Sequence, residues 1–91
     1  MGATGMKDMR RIFAEWPASI PRTGLILTTF GESIQFVSYM ISGDLILVER
    51  KTPDAQGSRR VIMSFDSIVA VKILDAIEMA RFTAMGFQGV A

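Results

Sequence analysis

Ninety-one residues make a single domain, since separate cores rarely form below about 100 residues apiece. The chain has no His and no Cys, which excludes zinc ribbons, thiol nucleophiles, Ser-His-Asp triads and disulfide frameworks. Ten Lys+Arg against nine Asp+Glu leave a formal charge of +1, far from a dedicated polycation.

Hydrophobic residues are 49% of the chain and the mean hydropathy is +0.33. A domain this small buries only about two-thirds of the surface its unfolded chain exposes. Many apolar side chains must therefore stay outside the monomer, the mark of an interface, and self-association is the expectation. The longest uncharged stretch, Ser33 to Gly43, is too short to cross a bilayer as a helix. The opening has no basic-then-apolar export pattern, so a cytoplasmic location is expected.

Met1 to Gly5, small and polar, reads as a flexible leader to a single domain over 6–91. Met9, Ile12, Phe13 and Trp16 then recur at i, i+3, i+4 and i+7, one stripe of an α-helix over 7–16. Pro17 stops that helix, lacking an amide donor and disfavouring helical backbone at Trp16. From Arg22 the period changes to 2 and the residues become β-branched and aromatic. Strands are predicted at Thr23–Phe30, Ser33–Ser42, Leu45–Arg50, Arg59–Phe65 and Ile68–Ile73, with a loop over 51–58 carrying Pro53, Asp54 and Gly57. Their short junctions favour antiparallel neighbours.

Both faces of these strands are apolar. Leu25 and Leu27 oppose Ile26, Leu45 and Leu47 oppose Ile46 and Val48, and Val69, Val71 and Ile73 oppose Ile68 and Ala70. A sheet with one wet face would alternate more cleanly. Beyond the strands, Asp75 and Glu78 have capping-box spacing and Gly86 is a stop, which predicts a C-terminal helix over 75–86. The fold expected is mainly β: a strongly bent five-stranded antiparallel barrel over 22–73 with a helix on either side.

Catalysis finds little support. The nine carboxylates are scattered singly, no S-x-x-K spacing exists, and Gly24, Gly31 and Gly43 are isolated turn residues rather than a phosphate loop. The seven methionines suggest adaptable packing rather than a metal site. No enzyme, cofactor or metal is expected. The clearest charge feature is the 51–58 hairpin, where Arg50 and Lys51 enter the loop and Arg59 and Arg60 leave it, opposed nearby only by Glu49 and Asp54. These cations either form a phosphate-attracting rim or keep an exposed hairpin end soluble and unpaired. Phe36 and Tyr39 are strand aromatics that serve either a base-stacking platform or the core.

The order helix, three strands, variable loop, two strands resembles the Sm-like family, the LSm and bacterial Hfq proteins, over about residues 7 to 73. The likeness runs through Gly43-Asp44-Leu45-Ile46-Leu47-Val48-Glu49 and through Phe65-Asp66-Ser67-Ile68-Val69-Ala70-Val71. It implies a cyclic homo-oligomer of roughly five to eight subunits, joined edge to edge through the fourth and fifth strands. Val61, Ile62, Met63, Val69, Val71 and Ile73 would lie at that joint. It also implies single-stranded RNA as partner, with Arg50, Lys51, Arg59, Arg60, Tyr39 and Asp44 as candidate contacts and no membrane. The departures fall on the RNA-contacting positions. Asp44 replaces the family's Asn, Met40 stands where an aspartate would, Ser64-Phe65 replaces Arg-Gly, and no Tyr-Lys-His appears. An acid in place of an amide loses two donors and repels phosphate. The alternative is a self-assembling structural or protein-interaction module with no RNA.

Overall fold

The computed structural model describes residues 2–90. The apolar stripe of the first segment winds as α1 (Gly2–Ala14). It ends two residues short of Trp16, because the residue before a proline disfavours helical backbone. The stripe is completed by a turn instead. Ile20 N donates to Pro17 O at 3.1 Å, and the Trp16 indole N–H donates to Ile20 O at 3.0 Å, folding Ile20 into the core.

Five strands follow: β1 (Gly24–Thr28), β2 (Ser33–Ser42), β3 (Leu45–Arg50), β4 (Arg60–Ser64) and β5 (Ile68–Lys72). All neighbours are antiparallel, in the order β4-β3-β2-β1-β5. The β2–β3 hairpin turns on Gly43-Asp44. Only Gly43 of that pair has positive φ, at 58°, the pattern of a II′ turn with glycine first. Gly24 is needed for a different reason, since a Cβ there would meet the Lys72 carbonyl at 2.8 Å where β1 and β5 draw close.

The expected barrel is an open sheet. β4 and β5 lie at opposite edges and no ladder joins them, although only the three-residue 3-10 turn Phe65–Ser67 separates them in the chain. So short a link requires the sheet to curl until its two ends meet at one corner. That turn sends Phe65 into the interior, and β5 then pairs with β1 rather than with β4. Much of the curl comes from β2. Residues 33–36 pair with β1 and residues 36–42 with β3, and a bulge at Val37 interrupts the β3 ladder. A second register shift, between Leu27 and Thr28, breaks the alternation expected in β5. Val71 consequently pairs with Ile26 and shares the inner face with Ile68, while Val69 is left exposed.

One side of the curled sheet carries Ile26, Ile34, Phe36, Ile46, Val48, Met63 and Ile68, all buried. Phe13 and Trp16 close the open mouth of this surface. The Phe13 ring lies 5.6 Å from Trp16, 5.9 Å from Phe36, 5.8 Å from Phe65 and 5.0 Å from Tyr39, the last edge-on. On the other side, Met40, Leu47 and Ile62 form one cross-strand row over β2, β3 and β4, with Met40 70% and Ile62 68% exposed. The two-faced apolar character read from the sequence is thus present in the fold.

The segment expected as an α-helix over 75–86 is instead the 3-10 helix Met79–Met85. Two causes are visible. The Asp75 carboxylate accepts from Thr23 Oγ1 at 3.1 Å and so does not cap a first turn, and Glu78 makes no side-chain cap. Met79, Phe82 and Met85 are three apart, which aligns them at 3.0 residues per turn but not at 3.6. Gly86, at φ 96°, ends the helix as expected.

Phe13 is the ring shared by all these aromatic contacts, so Phe13→Ala opens a cavity with no side chain free to refill it. Urea unfolding followed by Trp16 fluorescence is expected to show a loss of about 3–5 kcal/mol.

Candidate functional site

Antiparallel pairing brings the four hairpin cations to one end of β3 and β4. Glu49 stands opposite Arg60, and Arg50 N donates to Arg59 O at 2.8 Å one step further along. Lys51 continues the same edge, its amide donating to Gln35 O at 2.9 Å. The grouping anticipated from the sequence therefore exists in space.

Its charge is largely compensated. Arg50 pairs with Phe36 across the ladder, and its side chain, only 13% exposed, places Nη1 3.0 Å from Glu32 Oε2. Its Nε donates to Thr52 O at 3.0 Å, which braces the start of the loop. Glu32 could not be assigned to this group from the sequence, because it lies eighteen residues away and reaches it only through the β2–β3 pairing. Arg60 Nη2 lies 3.5 Å from Glu49 Oε2, an exposed pair worth at most about 1 kcal/mol. The Asp54 carboxylate accepts from the amides of Gln56 and Ser58 and shapes the loop. Lys51 and Arg59 remain exposed, with no carboxylate in ion-pair range among the described residues.

Tyr39 borders this group, sharing a small surface pocket with Glu49 and Arg60, but its polar end is turned to α1. Its hydroxyl donates to Phe13 O at 2.7 Å, joining β2 to the end of α1, and its ring meets Phe13, Trp16 and Phe36 edge-on. A base could not slide over a face so enclosed without displacing core aromatics. Burial raises the phenol's pKa, and the positive charge of Arg22 only partly opposes this. Phe36 is fully buried.

Asp44 is exposed at the β2–β3 turn, where its carbonyl accepts from Phe65 N at 3.1 Å. Arg10 reaches the same corner and donates from Nε to Gly43 O at 2.7 Å. The corner therefore gathers Asp44 and Asp66 beside a single arginine. It is unlike the donor-rich pocket that the family resemblance implies for an RNA base.

The six candidate interface residues separate by strand face. Ile62 and Val69 are exposed on the two edge strands. Met63 is buried in the monomer's own core, and Val61, Val71 and Ile73 pack partly against it. Among the described residues no three His, Cys, Asp or Glu side chains converge to hold a metal, and no helix is long and apolar enough to cross a membrane.

Tyr39 is the only tyrosine, so the phenolate absorbance band reports it alone. Its titration midpoint is expected above the ordinary value of about 10. A phenol with a raised folded-state pKa contributes stability that is complete below the unfolded pKa and lost as pH rises through the folded one. Tyr39→Phe should cost about 1 kcal/mol near neutrality, through the lost bond to Phe13 O, and should remove that alkaline dependence. Urea unfolding measured across the alkaline range checks both.

No family model, no curated protein and no solved structure matches this chain.

Proposed function

We propose that the chain is an Sm-like self-assembling module whose copies close into a ring, β4 of one pairing with β5 of the next. The observation that carries this reading is the strand order. β4 and β5 are the two unpaired edges of one open sheet, and both are five residues long. Unpaired backbone donors and acceptors on such edges invite another strand. Because the two edges differ, their contact is heterologous, and a closing rotation makes a ring. Ile62 and Val69, 68% and 62% exposed, supply an apolar side chain on each edge, and Met40 and Leu47 extend the apolar row beside β4.

Single-stranded RNA on the rim of such a ring is the second reading, favoured by Lys51 and Arg59. These two uncompensated cations per subunit would be repeated around the ring, and binding resting on them falls steeply with salt. Against them stand the acidic corner at Asp44 and Asp66 and the engaged ring of Tyr39. Self-assembly is therefore the primary function, with RNA as a ligand of the assembled rim.

Sedimentation equilibrium at micromolar concentration should give one discrete oligomer for the native chain. Ile62→Asp and Val69→Asp, each placing a charge on a different edge, should each give monomer. A native chain that is strictly monomeric overturns the ring. The RNA reading has its own test: retention of a short single-stranded RNA at low salt, abolished in the Lys51→Ala/Arg59→Ala double variant. Retention that is absent, or unchanged in that variant, removes RNA and leaves assembly standing.

A further inference from the structure

A groove runs between α1, β5 and the C-terminal segment, and none of the cationic hairpin residues lines it. Its volume is about 760 Å³, within the range of small-molecule sites, which span roughly 300–1,000 Å³. Met9, Ile12, Trp16, Ile73, Phe82 and Met85 line its floor and sides, with Met79 and Phe87 at the rim. Two polar side chains along it are already engaged, while the exposed amide of Gln88, also on its lining, has no hydrogen-bond partner among the described residues. Trp16 Nε1 donates to Ile20 O, and Thr83 Oγ1 donates to Ala80 O at 2.9 Å. Away from Gln88 the groove can repay only an apolar occupant, since a polar one would lose its hydration without replacement. Methionines at three points of the wall let it adapt to a flexible chain.

One end is different. Arg11 leaves α1 and donates from Nη1 to Met85 O at 3.2 Å, and the same nitrogen stands 3.4 Å from where a Cβ on Gly86 would be. Its guanidinium thus lies just outside the groove lining, against the backbone of the wall residue Met85. Only part of its donor capacity is used, and among the described residues no carboxylate lies in ion-pair range of it. Arg81, whose guanidinium donates to Ser19 O, adds a second positive charge on the same flank. An apolar trough with a cation at its mouth complements a molecule with one greasy chain and one negative end.

We infer that this groove binds a single-chain anionic amphiphile of the fatty-acid class, the chain lying along Trp16, Phe82 and Met85 and the carboxylate meeting Arg11. The site is independent of β4 and of the cationic hairpin, so it stands whether or not the ring or RNA readings hold. The C-terminal segment forms one wall and is tethered to the body through Thr23–Asp75, Arg11–Met85 and Arg81–Ser19. Those tethers fix the wall while leaving the trough open.

Trp16 is the only tryptophan and lines the groove, so its fluorescence reads occupancy directly. The full chain is titrated with a brominated long-chain fatty acid, below its micelle concentration. Saturable quenching at one acid per chain is expected. The matching brominated alcohol should bind about tenfold more weakly, as expected for loss of a charge-assisted contact. Arg11→Gln should bring the acid to the level of the alcohol and leave the alcohol unchanged. Ala80→Phe, which fills the groove, and Met79→Asp, which sets a carboxylate at an exposed rim position, should each weaken the acid by about tenfold or more, on the scale of a blocked apolar site or a like charge. An unchanged circular dichroism spectrum shows that each variant folds. Three results overturn the assignment: no saturable quenching, quenching insensitive to both groove variants, or flotation with phosphatidylglycerol vesicles when the monomeric acid does not bind. A Trp16 emission that shifts with protein concentration before any acid is added places a second copy in the groove and overturns it as well.

Discussion

The structure depends on one ring. A five-stranded sheet curled tightly enough for three residues to join its two edges has an open mouth, and Phe13 fills it. From the end of α1 this side chain touches aromatics contributed by β2, by the Phe65 turn and by the Trp16 turn. The Tyr39 hydroxyl then holds the carbonyl of Phe13 itself, so backbone and side chain of one residue are both anchored to β2. Tilted and edge-on aromatic contacts favour particular ring angles, which is how the end of α1 docks in one orientation. The surface that α1 cannot cover is set by that docking.

Two consequences follow. Because α1 occupies the mouth, the two edge strands stay unpaired, and the apolar row of Met40, Leu47 and Ile62 faces away from the helix. The second copy proposed above would meet both conditions at once, hydrogen bonding the free backbone and covering the adjoining apolar side chains. Elsewhere, α1 and β5 diverge enough to leave a trough that the C-terminal 3-10 helix borders without filling. The high apolar content of so short a chain is thus divided among a core, an exposed cross-strand row beside a free edge and a groove.

Charge behaves in the opposite way: pairing consumes most of it. Four cations converge at the end of β3 and β4, yet Arg50 is held by Glu32 and Arg60 faces Glu49, so the local field is carried by Lys51 and Arg59. The part-buried Arg50–Glu32 pair also has a structural role, since Arg50 ties the start of β2 to the 51–59 loop. A basic cluster counted along a sequence overstates the potential a ligand meets whenever distant carboxylates can be folded into it.

The amino-acid order by itself determined the element types through β5, a turn at Gly43, the stop at Gly86 and the apolar character of both sheet faces. Each of these is a local matter of backbone preference or of a repeat period. What only the tertiary structure decided involves contacts between remote residues. The bulges in β2 and β5 moved Tyr39 and Val71 to the inner face, the open edges replaced a closed barrel, and Asp75 was drawn to Thr23, leaving the last segment a 3-10 helix. Glu32 on Arg50 and Arg11 beside Met85 belong to the same class. A one-residue slip in register reverses every later side chain, and nothing short of the assembled sheet specifies where such a slip occurs.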